Sequence, residues 1–269
     1  MNDKLSLRRA VLNITAKCTL KCKHCVMGAP YYKNPPHYKY EIIEKTIEKM
    51  FAIVDHIQWI EFSGGEPLMH EELGKMMEKL MEYHSQFDKL LIMTNGTLLP
   101  RGDVAEIMKK YHESIIVMMS HYGELSRNAD KLIAFCNENN IACEVKKYYG
   151  EEQHYGGWVD YGDFHKYNRN EEILKEMYQR CGATKMKGCF TTHGGQMHWC
   201  VPSARGMKLT NKIPDNKEEY IDLFDESMTV EMQREKIKKM QNAEYISACD
   251  YCAGFSEENS IRIKAAEQV

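Results

Sequence analysis

The chain has 269 residues, a formal net charge of -3 and a pI near 6.4. Apolar residues make up 43% and charged residues 28%, an ordinary globular composition with no electrostatic reason to expect a nucleic-acid or membrane partner. No apolar run reaches the roughly 18 residues that a membrane helix needs, and MNDKLSLRRAVLNITAKC lacks the apolar centre of a signal peptide, so a cytoplasmic protein is expected.

From residue 8 to about 148 short apolar runs alternate with amphipathic stretches. Strands are predicted at RRAVLNIT (8–15), IQWIEFS (57–63), KLLIMTN (89–95), SIIVMMS (114–120) and IACEVKKYY (141–149). The helical stripes between them are Ile43, Ile47, Met50, Phe51 and Val54; then Leu73, Met76, Met77, Leu80 and Met81; then Ile107 and Met108; then Leu132, Ile133 and Cys136. This alternation is the pattern of repeated βαβ units and a parallel sheet. Strands that are apolar almost throughout fit a sheet covered on both faces. Such sheets bind ligands at the carboxyl ends of their strands, where AKCTLKCKHC, SGGEP, TNG and SHYG all fall.

Residues 150–167 are rich in glycine and aromatics and read as a loop, followed by a helix over 171–179. The turn His193-Gly194-Gly195 between KGCFTT and QMHWC predicts a β-hairpin. Residues 203–227 read as polar and irregular, and a helix is expected over about 229–241. These features divide the chain into residues 1–165 and 166–269.

Ten cysteines in an unexported chain call for metal or redox chemistry before disulfides. Cys136 and Cys143 fall on a helical stripe and a strand and read as small buried hydrophobes. The others form two groups: Cys18, Cys22 and Cys25, spaced C-x3-C-x2-C, and Cys181, Cys189, Cys200, Cys249 and Cys252. Three closely spaced thiolates leave a soft-metal site with an open position. An iron–sulfur cluster normally takes four cysteines, so a cluster on three has one iron free for a small ligand. Zinc is the competing reading, with Cys22 and Cys25 paired with Cys249 and Cys252; it leaves Cys18 and the SGGEP and TNG loops without a role.

C-x3-C-x2-C after the first strand, with SGGEP (63–67) after the second, resembles the radical S-adenosylmethionine (radical SAM) enzymes over residues 8 to about 148. The resemblance implies an α/β fold, a partial (β/α)6 TIM-like barrel. It implies a [4Fe-4S] cluster on Cys18, Cys22 and Cys25, with the amino and carboxylate groups of S-adenosylmethionine on the fourth iron. One electron, from a flavodoxin- or ferredoxin-type donor, would then yield a 5′-deoxyadenosyl radical that takes a hydrogen atom from substrate. His24, Ser63, Gly64, Gly65, Glu66, Asn95 and Ser120 would surround the cosubstrate. Glu66 would meet its ammonium group, and Gly64 and Gly65 would let backbone approach it. Asn95 either lines the site or caps the next turn, and Ser120 either contacts the ribose or is a plain strand-end hydroxyl.

The second cysteine group is similar to the twitch form of the SPASM-type extension, a hairpin and helix holding one auxiliary [4Fe-4S] cluster. Cys181, Cys200, Cys249 and Cys252 are the expected ligands. Cys189 is an alternative to Cys181, or a free thiol donating a hydrogen atom, and a four-thiolate zinc site is the alternative metal. Size and layout resemble the aminocyclitol dehydrogenases that carry this extension. Only about eight residues precede the first strand, so no N-terminal peptide-recognition domain is expected. Trp158, Asp160, Tyr161 and Asp163 offer stacking faces and carboxylates suited to a sugar-like or aminocyclitol substrate. Dehydrogenation, with the auxiliary cluster accepting an electron, or epimerisation is expected; modification of a peptide side chain and a two-zinc scaffold are the alternatives. Lys146, Lys147, His121 and Tyr122 are candidate bases on the rim, and none is singled out.

Overall fold

The computed structural model describes residues 4–185, 188–208, 210–256 and 260–269. Met186 and Lys187, at the approach to the expected hairpin, and Leu209, in the expected irregular stretch, lie outside the described residues.

Five strands and four helices alternate through the first half: β1 (Ser6–Thr15), α1 (Tyr40–Ile53), β2 (His56–Gly64), α2 (Leu73–Met81), β3 (Phe87–Thr94), α3 (Gly102–Lys110), β4 (Ile115–His121), α4 (Ala129–Glu138) and β5 (Ala142–Lys147). The second half carries β6 (Trp158–Val159), α5 (Glu171–Arg180), α6 (Gly182–Lys185), β7 (Cys189–His193), β8 (Gln196–His198), α7 (Val201–Lys208), β9 (Tyr220–Asp222), α8 (Val230–Gln241) and β10 (Arg262–Ile263). Asn170 caps α5 by accepting from the Ile173 N–H, and Thr229 caps α8 by accepting from the Met232 N–H, each worth about 1 kcal/mol.

The fold is α/β, and one eight-stranded sheet runs in the order β5-β4-β3-β2-β1-β7-β8-β9. Pairings from β5 to β7 are parallel, and β7–β8 and β8–β9 are antiparallel. The sixth parallel strand is therefore β7, the first arm of the expected hairpin. It pairs with β1 through Arg9↔Cys189 to Leu12↔Thr192, so the sheet is continuous across the boundary at residue 165. A separate ribbon joins β10 to β6.

The helical stripes bury as their periodicity requires. Ile43, Ile47 and Met50 of α1 and Leu73, Met76, Met77 and Leu80 of α2 are almost wholly inaccessible, each side chain contributing about 1.5–3 kcal/mol. They pack against Leu12, Ile14, Ile57, Ile60 and Phe62 of the sheet. The opposite face of β1–β4 and β7 lines a cavity, through residues such as Asn13, Ser63, Met93, Ser120 and Thr191. The stretch expected to be irregular contains α7 and β9. No helix among the described residues is long and apolar enough to cross a membrane.

Candidate functional site

The chain leaves β1 at Thr15 and turns at once through Cys18, Cys22 and Cys25. The loop after β2 braces this turn: the Gly65 N–H donates to the Thr15 carbonyl at 2.7 Å and the Glu66 N–H to that of Lys17 at 2.9 Å. A Cβ on Gly64 would lie 2.0 Å from the Thr15 oxygen, and one on Gly65 2.0 Å from the Lys17 oxygen. Glycine is needed here because two backbones touch.

The Glu66 carboxylate is fully buried and accepts from Thr94 Oγ1 at 3.0 Å, the Asn95 N–H at 2.9 Å and the Leu68 N–H at 3.1 Å. Burial pushes this carboxyl up to about 7 against the pull of those donors. It ties the loops after β2 and β3 together from behind the cavity wall. The Asn95 Oδ1 accepts from the Thr97 N–H at 3.0 Å, while its Nδ2 donates to the Cys18 sulfur at 3.5 Å. The Leu20 N–H also donates to that sulfur at 3.4 Å. Burial raises the Cys18 and Cys22 thiols to about 11, and the neighbouring cysteines add to the rise.

The second group assembles from three places: Cys181 after α5, Cys200 before α7, and Cys249 and Cys252 on the turn at 247–252. Burial comes first in raising the last two, to about 12 and about 11, and Cys200 well above its ordinary value; Cys200 feels Cys252, Cys249 and Cys181 as neighbours. The Ser203 N–H points at the Cys200 sulfur (3.4 Å) and the Gly254 N–H at that of Cys252 (3.3 Å). One nitrogen of Arg169 holds the Cys249 and Cys252 carbonyls, each at 3.1 Å. Cys189 is elsewhere, on β7 beside Arg9.

Among the described residues, His37, His70 and Glu71 are three ligating side chains whose donor atoms lie within 4.8 Å of one another. The histidine nitrogens are already engaged, by Thr15 and Glu71 on His37 and by the Tyr38 carbonyl and Glu72 N–H on His70.

Both cysteine groups line one cavity of about 500 Å³. His24, Ser63, Gly64, Gly65, Asn95 and Ser120 line it too, as does Cys189. Trp158 and Tyr161 face it with Tyr148 and Tyr155. Asp160 instead accepts from the Gly162 N–H, and exposed Asp163 pairs with His165. Of the candidate bases, Tyr122 reaches the cavity wall, while His121 packs on Tyr149 and the Lys147 ammonium lies over the same ring. Burial lowers the Lys146 ammonium.

Sequence reasoning missed the polar floor. Arg9 pairs with Glu61 across β1 and β2, and Asn13 donates to Thr191 and the Thr192 carbonyl on β7. The signal was present: charged residues inside the otherwise apolar runs RRAVLNIT and IQWIEFS mark a polar lumen. It also missed Arg205, whose guanidinium donates to the Cys25 carbonyl at 2.8 Å.

Residues 12–124 match the family model of the Radical SAM superfamily. Among curated proteins, the chain is 30% identical over 115 residues to the antilisterial bacteriocin subtilosin biosynthesis protein AlbA of Bacillus subtilis (strain 168), covering 41% of this chain and 23% of that protein. It is 31% identical over 88 residues to a GTP 3',8-cyclase of Campylobacter jejuni, covering 33% and 27%. The match thus spans about a quarter of the length of either relative. Among solved structures, BtrN in complex with AdoMet and 2-DOIA shares the fold at a TM-score of 0.58 and 14% identity, over 99% of this chain and 98% of that one. Native anSMEcpe with bound AdoMet and Cp18Cys peptide shares it at 0.55 and 14%, over 96% and 93%.

Proposed function

We propose that this chain, whose residues 12–124 match the Radical SAM superfamily model, is a radical SAM oxidoreductase or epimerase acting on a carbohydrate-like or aminocyclitol small molecule. In this reading Cys18, Cys22 and Cys25 hold a [4Fe-4S] cluster with S-adenosylmethionine beside it. Cys181, Cys200, Cys249 and Cys252 hold an auxiliary [4Fe-4S] cluster. Residues 1–165 form the core and 166–269 the auxiliary unit, in a cytoplasmic protein served by a flavodoxin- or ferredoxin-type donor and without nucleic-acid or membrane partners. The observation that carries the reading is the single cavity shared by both cysteine groups, within the range of small-ligand sites.

When bound, the first cluster and its cosubstrate supply one-electron cleavage of the sulfonium and hydrogen-atom abstraction. The chain's own residues do the rest. The buried thiols must shed protons to bind metal, so loading releases protons and is favoured as pH rises. Leu20 and Asn95 donate to the Cys18 sulfur. Tyr148, Tyr155, Trp158 and Tyr161 offer stacking faces and exclude water, and Ser63, Ser120 and Thr191 offer hydroxyls to a polar ligand. Dehydrogenation needs an electron acceptor at the second cysteine group. Epimerisation needs a hydrogen-atom donor, for which the Cys189 thiol is suited: it lines the cavity, and burial keeps it protonated. The second reading, modification of a peptide side chain, draws on the similarity to AlbA and the fold shared with peptide-bound anSMEcpe.

The test is iron and acid-labile sulfide per chain in anaerobically prepared wild type and a Cys18/Cys22/Cys25→Ala variant. About eight irons falling to about four supports two cubane clusters, one of them on the triplet. About four falling to none removes the electron-acceptor reading. Formation of 5′-deoxyadenosine with cyclitols, against peptides, then separates the substrate classes.

A further inference from the structure

We propose that residues 264–269 clasp the first cysteine loop and that Gln268 is a positioning residue which, by donating to the Cys22 sulfur, raises the reduction potential of the cluster bound there. The proposal rests on the reading of Cys18, Cys22 and Cys25 as cluster ligands.

After β10 the chain crosses to the loop and pairs with it. Cys22 and Gln268 form an antiparallel bridge. The Lys23 N–H donates to the Glu267 carbonyl at 2.7 Å, and the Val269 N–H to that of Lys21 at 2.9 Å. Ala266, 2% exposed, packs with Leu20 and Cys22. The Gln268 carboxamide is fixed by backbone groups that can act in one sense only. Its Oε1 accepts from the Lys21 N–H at 2.8 Å, and its Nε2 donates to the Ala266 carbonyl at 2.7 Å. This leaves Nε2 3.3 Å from the Cys22 sulfur as a donor. The amide orientation is therefore set without reference to the sulfur, and the donor is in place before any metal binds. A hydrogen bond to a thiolate ligand favours the electron-rich, reduced state of a cluster and raises its potential. Cys18 receives comparable donors from its own loop and from Asn95; Cys22 receives its side-chain donor from a segment 246 positions away.

The experiment compares wild type, Gln268→Met and Gln268→Glu, each reconstituted anaerobically. The readout is the midpoint potential of the EPR signal that responds to S-adenosylmethionine, with iron content and circular dichroism measured alongside. Glutamate retains the acceptor for the Lys21 N–H but loses the donor to both the Ala266 carbonyl and the Cys22 sulfur, so iron content and circular dichroism report whether the clasp holds. Both variants are expected to shift to a more negative midpoint, glutamate further because of its charge, and methionine is expected to lose part of its iron. Unchanged midpoints in both variants, with a responsive signal in the wild type, overturn the proposal alone. A wild type with no responsive signal overturns the ligand reading and the proposal together.

Discussion

The Arg205 guanidinium donates to the Cys25 carbonyl at 2.8 Å and so joins the helix that follows Cys200 to the loop of the first cysteine group. The same guanidinium lies over the Phe164 ring at 5.3 Å. Arg205→Ala removes one of two donors to the Cys25 carbonyl, which also accepts from the Gly28 N–H at 2.9 Å, and is expected to cost about 0.5–1.5 kcal/mol in denaturant unfolding. Arg205→Lys is expected to recover only part of this, because a lysine cannot bond the carbonyl and spread a flat cation over the ring together.

Glu66 gives the protein a pH dependence of known sign. Its folded carboxyl titrates near 7 because of burial, against about 4.3 in an unfolded chain. Between these values the folded state binds more protons, so the Glu66 contribution is complete below about pH 4.3 and is lost as pH rises through 7. Relative to Glu66→Gln, the metal-free wild type is expected to lose on the order of 2–4 kcal/mol of stability between pH 4.5 and 7.5. Parallel denaturation curves for the two proteins would contradict this.

Gly65→Ala is expected to destabilise by about 3 kcal/mol or more. Its new methyl would lie 2.0 Å from the Lys17 oxygen, a backbone atom that cannot step aside. Soluble yield and melting temperature report the loss, and it should appear in metal-free protein as strongly as in loaded protein.

Cys181 and Cys189 are told apart by iron content. Cys181→Ser is expected to lose about four irons per chain. Cys189→Ser is expected to keep them all, since Cys189 sits on β7 beside Arg9 of β1, while the thiols of Cys200, Cys249 and Cys252 interact with Cys181. If Cys189→Ser loses the iron instead, the ligand assignment changes hands.

The first half of the fold was legible because its strands are long apolar runs and its helices carry complete stripes, so local pattern and tertiary burial agree. The cysteine triplet and SGGEP were legible because both follow strands directly. Three kinds of feature were not. Strand β9 is three residues long and offers too few positions for an alternation to register. The partner of β7 is a non-local choice: KGCFTT announces a hairpin, yet nothing in it announces β1. The orientation of Glu66 was also hidden, because a carboxylate after two glycines reads equally as a ligand contact and as an anchor for neighbouring loops.

The seam between β1 and β7 has a consequence for how the chain is made. Asn13 and His193, neighbours across it, are 180 positions apart. A ribosome delivering residues in order therefore releases β1 long before β7 exists. Until then one side of β1 is an unpaired edge, a template for wrong partners. Loop closure over such a span is slow, so β1 waits longest for its last neighbour. Slowed elongation or chaperone supply should govern soluble yield more than growth temperature does, and a fragment ending near residue 165 should self-associate through that edge.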